Sequence, residues 1–248
     1  MAESLPFDRV ADSYDETRGG ERRGREFAAV LAPHLLRGRT LEIGVGTGLV
    51  ADALTRWHGA PTVGVDLSPA MLAHAYARLG SRVTVGDARR LPVRAASVDN
   101  AVFVGALHAI VDLAAALAEA ARVVRPGGRV ISVTAAGDRG KGDEFGDLLA
   151  GLPGRDRVDT PGAVRAAATG AGLRTLQSGE VTARTFAETP NQLAEIIENR
   201  VWSNLWNVDG AVWADTVMPI VQSLRELPDP DDPRDRRLAF QLSVFEKA

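Results

Sequence analysis

Over the first 135 residues, short apolar runs alternate with stretches in which apolar residues return every three or four positions. That alternation predicts βαβ units around a mostly parallel sheet. Residues 40–43, 62–65, 82–85, 98–104 and 129–134 read as five strands, each short and rich in β-branched residues as covered parallel strands are. Between them, Ser68 before Pro69 is a helix-start signal, and Met71, Leu72, Ala75, Tyr76 and Leu79 continue it at helical spacing. Ile110, Leu113, Leu117, Ala121 and Val124 keep the same period until Arg125-Pro-Gly-Gly turns the chain into the fifth strand.

Beyond this the pattern changes. Residues 135–160 are rich in glycine and charge and predict a long loop with at most one short helix near 145–149. A helix over 161–171 and a sixth strand over 173–181 follow. Residues 189–227 predict helices, with Leu193, Ile196, Ile197 and Leu205 on one face and Trp202, Trp206 and Trp213 crowded together. Pro228-Asp-Pro-Asp-Asp-Pro breaks the chain, and 238–245 alternates as a last strand. The whole reads as one α/β domain, 1–248, with a Rossmann-like doubly wound sheet and helices on both faces.

The turn after the first strand is Glu42-Ile-Gly44-Val-Gly46-Thr-Gly48, in the crevice where open α/β sheets bind ligands. A dinucleotide fingerprint needs its third glycine at position 49, which is Leu49, and Glu42 would repel a pyrophosphate. A cationic ligand suits the acid better. S-adenosylmethionine carries a sulfonium and an ammonium at one end and a ribose and adenine at the other. Asp66 closes the second strand, placed for a ribose diol, and Asp87 closes the third, placed to accept from an adenine amino group. A ligand-free tight turn and an ordinary strand-end Asp66 are the plainer alternatives.

These runs resemble the class I S-adenosylmethionine-dependent methyltransferases, in particular the small-molecule group that includes quinone-biosynthesis enzymes. The resemblance rests on Phe7-Asp-Arg-Val-Ala-Asp-Ser-Tyr14-Asp, Leu41 through Gly48, Gly64-Val-Asp66-Leu-Ser-Pro-Ala-Met71, Gly86-Asp-Ala-Arg-Arg-Leu-Pro92, Ser97-Val-Asp99 and Leu117 through Gly128, about half the chain. It implies a seven-stranded sheet with an antiparallel last strand. It makes Glu42, Gly44, Gly46 and the backbone near Gly105 the methionine-end contacts, Asp66 the ribose acid, Leu67 and Ala88 the adenine walls, and Asp87 the adenine acceptor. Tyr14 matches a tyrosine on an N-terminal helix that folds over the cofactor, and Phe7, Val10 and Tyr14 share a helical face; packing of a terminal helix is the alternative. The implied organisation is lid helices over 1–36, a cofactor-binding core over 37–135 and a helical acceptor-binding insertion over 189–227.

The reaction implied is methyl transfer by in-line displacement to an oxygen or nitrogen of a small biosynthetic, secondary-metabolite or quinone-like acceptor. Transfer to an activated aromatic or enolic carbon is the alternative, and a non-catalytic S-adenosylmethionine-binding partner subunit is the alternative of another class. Alignment and water exclusion carry most of such a reaction, and a base is needed only when the nucleophile arrives protonated. His108, after the fourth strand, is the candidate catalytic residue, with acceptor contact or structural hydrogen bonding as alternatives. Trp202, Trp206, Trp213 and Arg200 are candidates for acceptor binding, against core packing or a homodimer contact. Asp99 is read as orienting the start of strand four.

Composition narrows this further. The 248 residues include no cysteine, which excludes disulfides, thiolate metal sites and cysteine-dependent RNA pyrimidine methylation. A net charge of −3 argues against a nucleic-acid partner, and no apolar run suggests a membrane span or signal, so a cytoplasmic location is expected. The histidines lack metal-ligand spacing. Tyr14 and Tyr76 are followed four residues on by Arg18 and Gly80, not by the lysine of short-chain oxidoreductases, and Asn100-Ala-Val-Phe replaces the Asn/Asp-Pro-Pro-Tyr of nucleobase amino methylation.

Overall fold

The computed structural model describes residues 6–136, 144–154 and 157–248. Seven strands form one sheet in the order β3-β2-β1-β4-β5-β7-β6. They are β1 (Thr40–Ile43), β2 (Thr62–Asp66), β3 (Val83–Val85), β4 (Val98–Val104), β5 (Val124–Ala135), β6 (Leu173–Glu188) and β7 (Arg234–Lys247). The β1–β2, β2–β3, β1–β4 and β4–β5 pairs are parallel. β7 runs the other way. Its last residues meet the start of β5, where Lys247 Nζ donates to Val124 O, while its middle meets the end, where Ala136 N donates to Ala239 O. The ion pair Arg174–Glu246 and the contact Ser178–Ser243 give the same antiparallel sense against β6. The doubly wound sheet with an antiparallel last strand is therefore present.

The helices are α1 (Ala11–Arg18), α2 (Gly20–Leu31), α3 (Leu49–His58), α4 (Pro69–Leu79), α5 (Leu113–Val123), α6 (Gly146–Ala150), α7 (Pro161–Gly170), α8 (Pro190–Glu198), α9 (Gly210–Val212) and α10 (Met218–Arg225), with a π-helical stretch, Trp213–Val217, between the last two. Their starts follow local chemistry. The Ser68 hydroxyl accepts from Met71 N ahead of Pro69, Thr160 accepts from Ala163 N ahead of Pro161, and Thr189 with Gln192 forms a reciprocal capping box.

Two compact units are distinguished by their packing. The first holds residues up to 135 with 157–181 and 241–248; the second holds 136–156 and 182–240. The core of the first gathers Leu41, Ile43, Phe103, Leu117 and Phe245 among others, all buried. The second has its own core around Phe145, Leu193, Ile197, Leu205 and Leu224. The predicted 189–227 insertion falls within this second unit, which also takes in the short α6, the end of β6 and the start of β7. Part of the loop predicted over 135–160 lies outside the described residues.

The strand predictions for β1 and β4 match the observed bounds. Strand five begins five residues earlier than expected, at Val124, because Val98 pairs with Val124 across a register shift and Pro126-Gly-Gly is carried as an irregularity inside the strand. Ile110 lies outside α5, whose start is set by Asp112 accepting from Ala115 N. Within the first unit α2 packs tightly on α3: a Cβ on Gly24 would lie 2.6 Å from Leu49 O.

Candidate active site

The site lies in the first unit, at the carboxyl ends of β1, β2, β3 and β4. Gly44, Gly46 and Gly48 have φ of +76°, +54° and +84°, a left-handed series that turns the chain sharply from β1 into α3. A Cβ on Gly44 would sit 2.5 Å from the Ala106 Cβ, whereas nothing lies within 4 Å of the position a Cβ would take on Gly46. The first glycine lets the turn pack against the exit of β4, and the second leaves the turn's inner surface open. A cavity begins there. Gly105 and Ala106 border it after β4 on one side of the Gly44–Gly46 turn, Asp66 and Leu67 after β2 on the other, with Asp87 and Ala88 beyond them after β3, and Phe7 and Tyr14 border it as well. All the predicted cofactor residues except Glu42 thus border one space.

Glu42 lies behind the turn on β1. It is 2% exposed, and its Oε2 is buried with no hydrogen-bond partner. Burial pushes its carboxyl up to about 8, with the nearby Asp66 charge adding to this, while the Ala51 N–H and Arg23 work in the opposite direction. Asp66 receives the Gly46 N–H on Oδ2 at 2.7 Å and the Ser68 N–H on Oδ1 at 2.9 Å. Burial raises its pKa despite these backbone bonds. Asp87 differs. Arg89 grips its carboxylate, with Nη2 to Oδ2 at 2.6 Å, and chiefly through that bond holds its pKa below the usual carboxylate range.

Tyr14 meets Phe7 edge-on at 6.4 Å, and the Arg18 and Arg23 guanidiniums stand 5.5 and 5.9 Å from its ring centre. Burial opposes ionisation of its hydroxyl, but the two arginines and a hydrogen bond with Arg23 outweigh it, and the pKa is lowered. Arg23 and Arg18 were missed in the sequence. Arg23 Nη2 is 3.7 Å from the position of a Cβ on Gly105, so a cation sits at the methionine end of the predicted site. On an amphipathic helix such residues read as a solvated face, and no local signal separates them from one.

His108 occupies the short turn Leu107–Ala109 after β4 and is half-buried; its neighbours Ala106, Ala109 and Ile110 border the cavity, and His108 does not. Asp99, read as orienting strand four, pairs with Arg125 at 2.5 Å and accepts from Arg39 N.

The tryptophan segment belongs to the second unit. Trp202 and Trp213 pack against its core. Arg200, itself at φ +50°, lays its guanidinium 3.8 Å from the Trp213 ring centre and donates to Leu205 O at 2.7 Å and Val208 O at 3.1 Å. Those contacts are of the kind that core packing makes. Trp206 is half-buried beside them. Among the described residues no group of three or more His, Asp or Glu is placed to hold a metal ion, and no helix is long and apolar enough to cross a membrane.

A family model described as a methyltransferase domain matches residues 41–132. An uncharacterized methyltransferase of Mycobacterium tuberculosis is 37% identical over 163 residues, and that match spans 64% of this chain and 65% of the relative's own length. A demethylmenaquinone methyltransferase of Roseiflexus castenholzii is 31% identical over 208 residues, 80% of this chain and 84% of its own. Two solved structures share the fold. The cyclase SpnF has a TM-score of 0.62 at 20% identity, covering 98% of this chain and 95% of its own. A S-adenosylmethionine-dependent methyltransferase of Thermotoga maritima has 0.59 at 21%, covering 98% of both chains. Since a cyclase stands among them, the fold alone does not decide the chemistry. The matching domain, the extent of the Roseiflexus match and the three acids around one glycine turn agree, and the chain belongs to the class I S-adenosylmethionine-dependent methyltransferases of the small-molecule type.

Proposed function

We propose that the protein is a methyltransferase that uses S-adenosylmethionine to methylate a small-molecule acceptor. The observation that carries this reading is the single cavity bordered by the open Gly46 turn, Asp66 and Asp87, with the orphaned Glu42 oxygen behind it. When bound, the cofactor supplies a methyl group on a sulfonium, which an acceptor lone pair takes by in-line attack as a neutral thioether leaves.

The chain's own residues bind, align and exclude water. Asp66, already oriented by two backbone N–H groups, accepts from the ribose diol. Asp87, held ionised by Arg89, accepts from the adenine amino group between Leu67 and Ala88. Arg23 and Arg18 meet the methionine carboxylate, and Glu42 and the Gly105 backbone complement its ammonium. Phe7 and Tyr14 close the space from water, which strengthens each of these interactions. His108, one residue from the cavity wall at Ala109, is the candidate base for an acceptor that arrives protonated.

Oxygen or nitrogen of a biosynthetic or quinone-like molecule is the leading acceptor atom in this reading. Carbon is the second. The name of a ubiquinone/menaquinone biosynthesis C-methyltransferase of Desulfotalea psychrophila, 33% identical over 134 residues, 50% of this chain and 54% of its own, favours it. Calorimetric titration with S-adenosylhomocysteine tests the core of the proposal. Binding weakened about tenfold or more by Asp66→Ala is the expected result, consistent with loss of hydrogen bonds to a charged group. Unchanged affinity would remove Asp66, and with it the cofactor assignment.

A further inference from the structure

Asp15, the residue after Tyr14, stands outside the cavity wall and outside every role given above. Its carboxylate is divided between two elements. Oδ1 accepts the Thr47 hydroxyl at 2.5 Å, and Oδ2 accepts Arg78 Nη2 at 2.6 Å. Arg78, on α4, returns from its other nitrogen to the Thr47 carbonyl at 2.8 Å, closing a ring of three hydrogen bonds. Thr47 is 2% exposed, and the Asp15 and Arg78 side chains are 21% and 28% exposed, so the ring is largely withdrawn from water. Charge-assisted bonds in such a place are stronger than surface ion pairs.

The ring joins α1 to the turn that borders the cavity. α1 and α2 meet at Gly19 and Gly20, both with left-handed φ, +93° and +52°. α2 is wedged against α3 at Gly24, whereas α1 is held by side-chain contacts to α4. In the short 3-10 turn before α1 Asp8 accepts the Ser68 hydroxyl at 2.5 Å, and on α1 Asp12 meets His74 at 3.0 Å, so with Asp15 three aspartates meet α4 and its cap. Asp12 is fully exposed and contributes little. Asp15 is the member that touches the glycine turn itself, between Gly46 and Gly48.

We propose that Asp15 is a positioning residue for cofactor binding: with Arg78 it clamps the Tyr14-bearing helix to Thr47, so that seating the lid and setting the peptide at Gly46 to Gly48 are one event. This rests on the proposed methyltransferase reading. The clamp acts on how long the cofactor stays. Breaking it frees α1 from the glycine turn and leaves Asp87 and the Gly105 end of the cavity, which the ring does not touch, in place.

The test measures the dissociation rate of S-adenosylhomocysteine by stopped flow and its affinity by calorimetry, for the parent chain, Asp15→Ala, Arg78→Ala and the double variant, with thermal melts alongside. Each single variant is expected to speed dissociation and weaken affinity by roughly tenfold. The double variant is expected to match the singles, because one clamp is lost in all three, and Arg78→Lys to recover part of the loss by restoring the charge without the fork. In turnover assays the KM for S-adenosylmethionine rises while that for the acceptor holds. Dissociation unchanged in Asp15→Ala, losses that add in the double variant, or melting temperatures that fall without any change in dissociation would each overturn the proposal. Should the parent chain bind no S-adenosylhomocysteine, it is the methyltransferase reading that fails. Thr47→Val, which removes the hydroxyl at nearly constant volume, gives a third break in the same ring and is expected to speed dissociation as well.

Discussion

Both units bury polar groups in bonded networks, but beside the cavity of the first one acid is left short of a partner. In the second, Arg236, 2% exposed, pairs with Glu188 at 2.8 Å over the Phe145 ring, and Arg200 spends its donors on two carbonyls and its face on Trp213. In the first, Glu42 keeps an oxygen buried with no partner, and Asp66 keeps a carboxylate that burial raises. A satisfied network fixes a shape; an incompletely satisfied one, next to a cavity, waits for a ligand.

The comparison can be broken first at Arg200. Arg200→Ala strips two carbonyls of their donor and one indole of its cation, a loss on the order of 2 kcal/mol. The expected outcome is a melting temperature lower by several degrees with S-adenosylhomocysteine affinity unchanged, read by scanning calorimetry and titration. A tenfold loss of cofactor affinity instead would dissolve the division between the units. Glu42 offers a sharper contrast. Its folded pKa, about 8, lies above the ordinary value of 4.5, so the stability linked to its proton is complete below about 4.5 and is lost as pH rises towards 8. Glu42→Gln removes that dependence. The variant should therefore gain on the parent in thermal melts from pH 5 to pH 8, by roughly 10 °C at the upper end; parallel curves would show that Glu42 titrates normally. The third variant separates binding from chemistry. His108→Ala should leave cofactor affinity within about twofold of the parent, and if His108 is the base, turnover should fall by roughly a hundredfold or more. Near-normal turnover would place it among the structural residues.

Much of the cofactor core was legible because its rules are local. A β-branched run followed by Gly-x-Gly-x-Gly, or Ser68 before Pro69, determines its own conformation whatever surrounds it, and the acids at 42, 66 and 87 follow from where those strands end. What escaped was set by distant partners. β6 runs seven residues past the 181 expected, and β7 starts four residues before 238, because each pairs with the other along a ribbon held by contacts such as Arg236–Glu188. Neither strand's alternation records the other's length. Arg23 and Arg18 look like helix surface until α2 is laid against the end of β4. The tryptophan cluster was readable as aromatic and not as to purpose, since a ring that lines a pocket and one that fills a core have the same spacing.

Gly24 sets where a charge sits without carrying one. Because its missing side chain lets the α2 backbone lie against the Leu49 carbonyl, any larger residue there would act as a lever, prising α2 outward and taking the adjoining Arg23 with it. The position of the guanidinium beside Gly105 is thus an inheritance from the residue next to it. A substitution at 24 would present as an electrostatic defect although no charged atom had been changed, and tolerance at that position is dictated by one methyl group's worth of space.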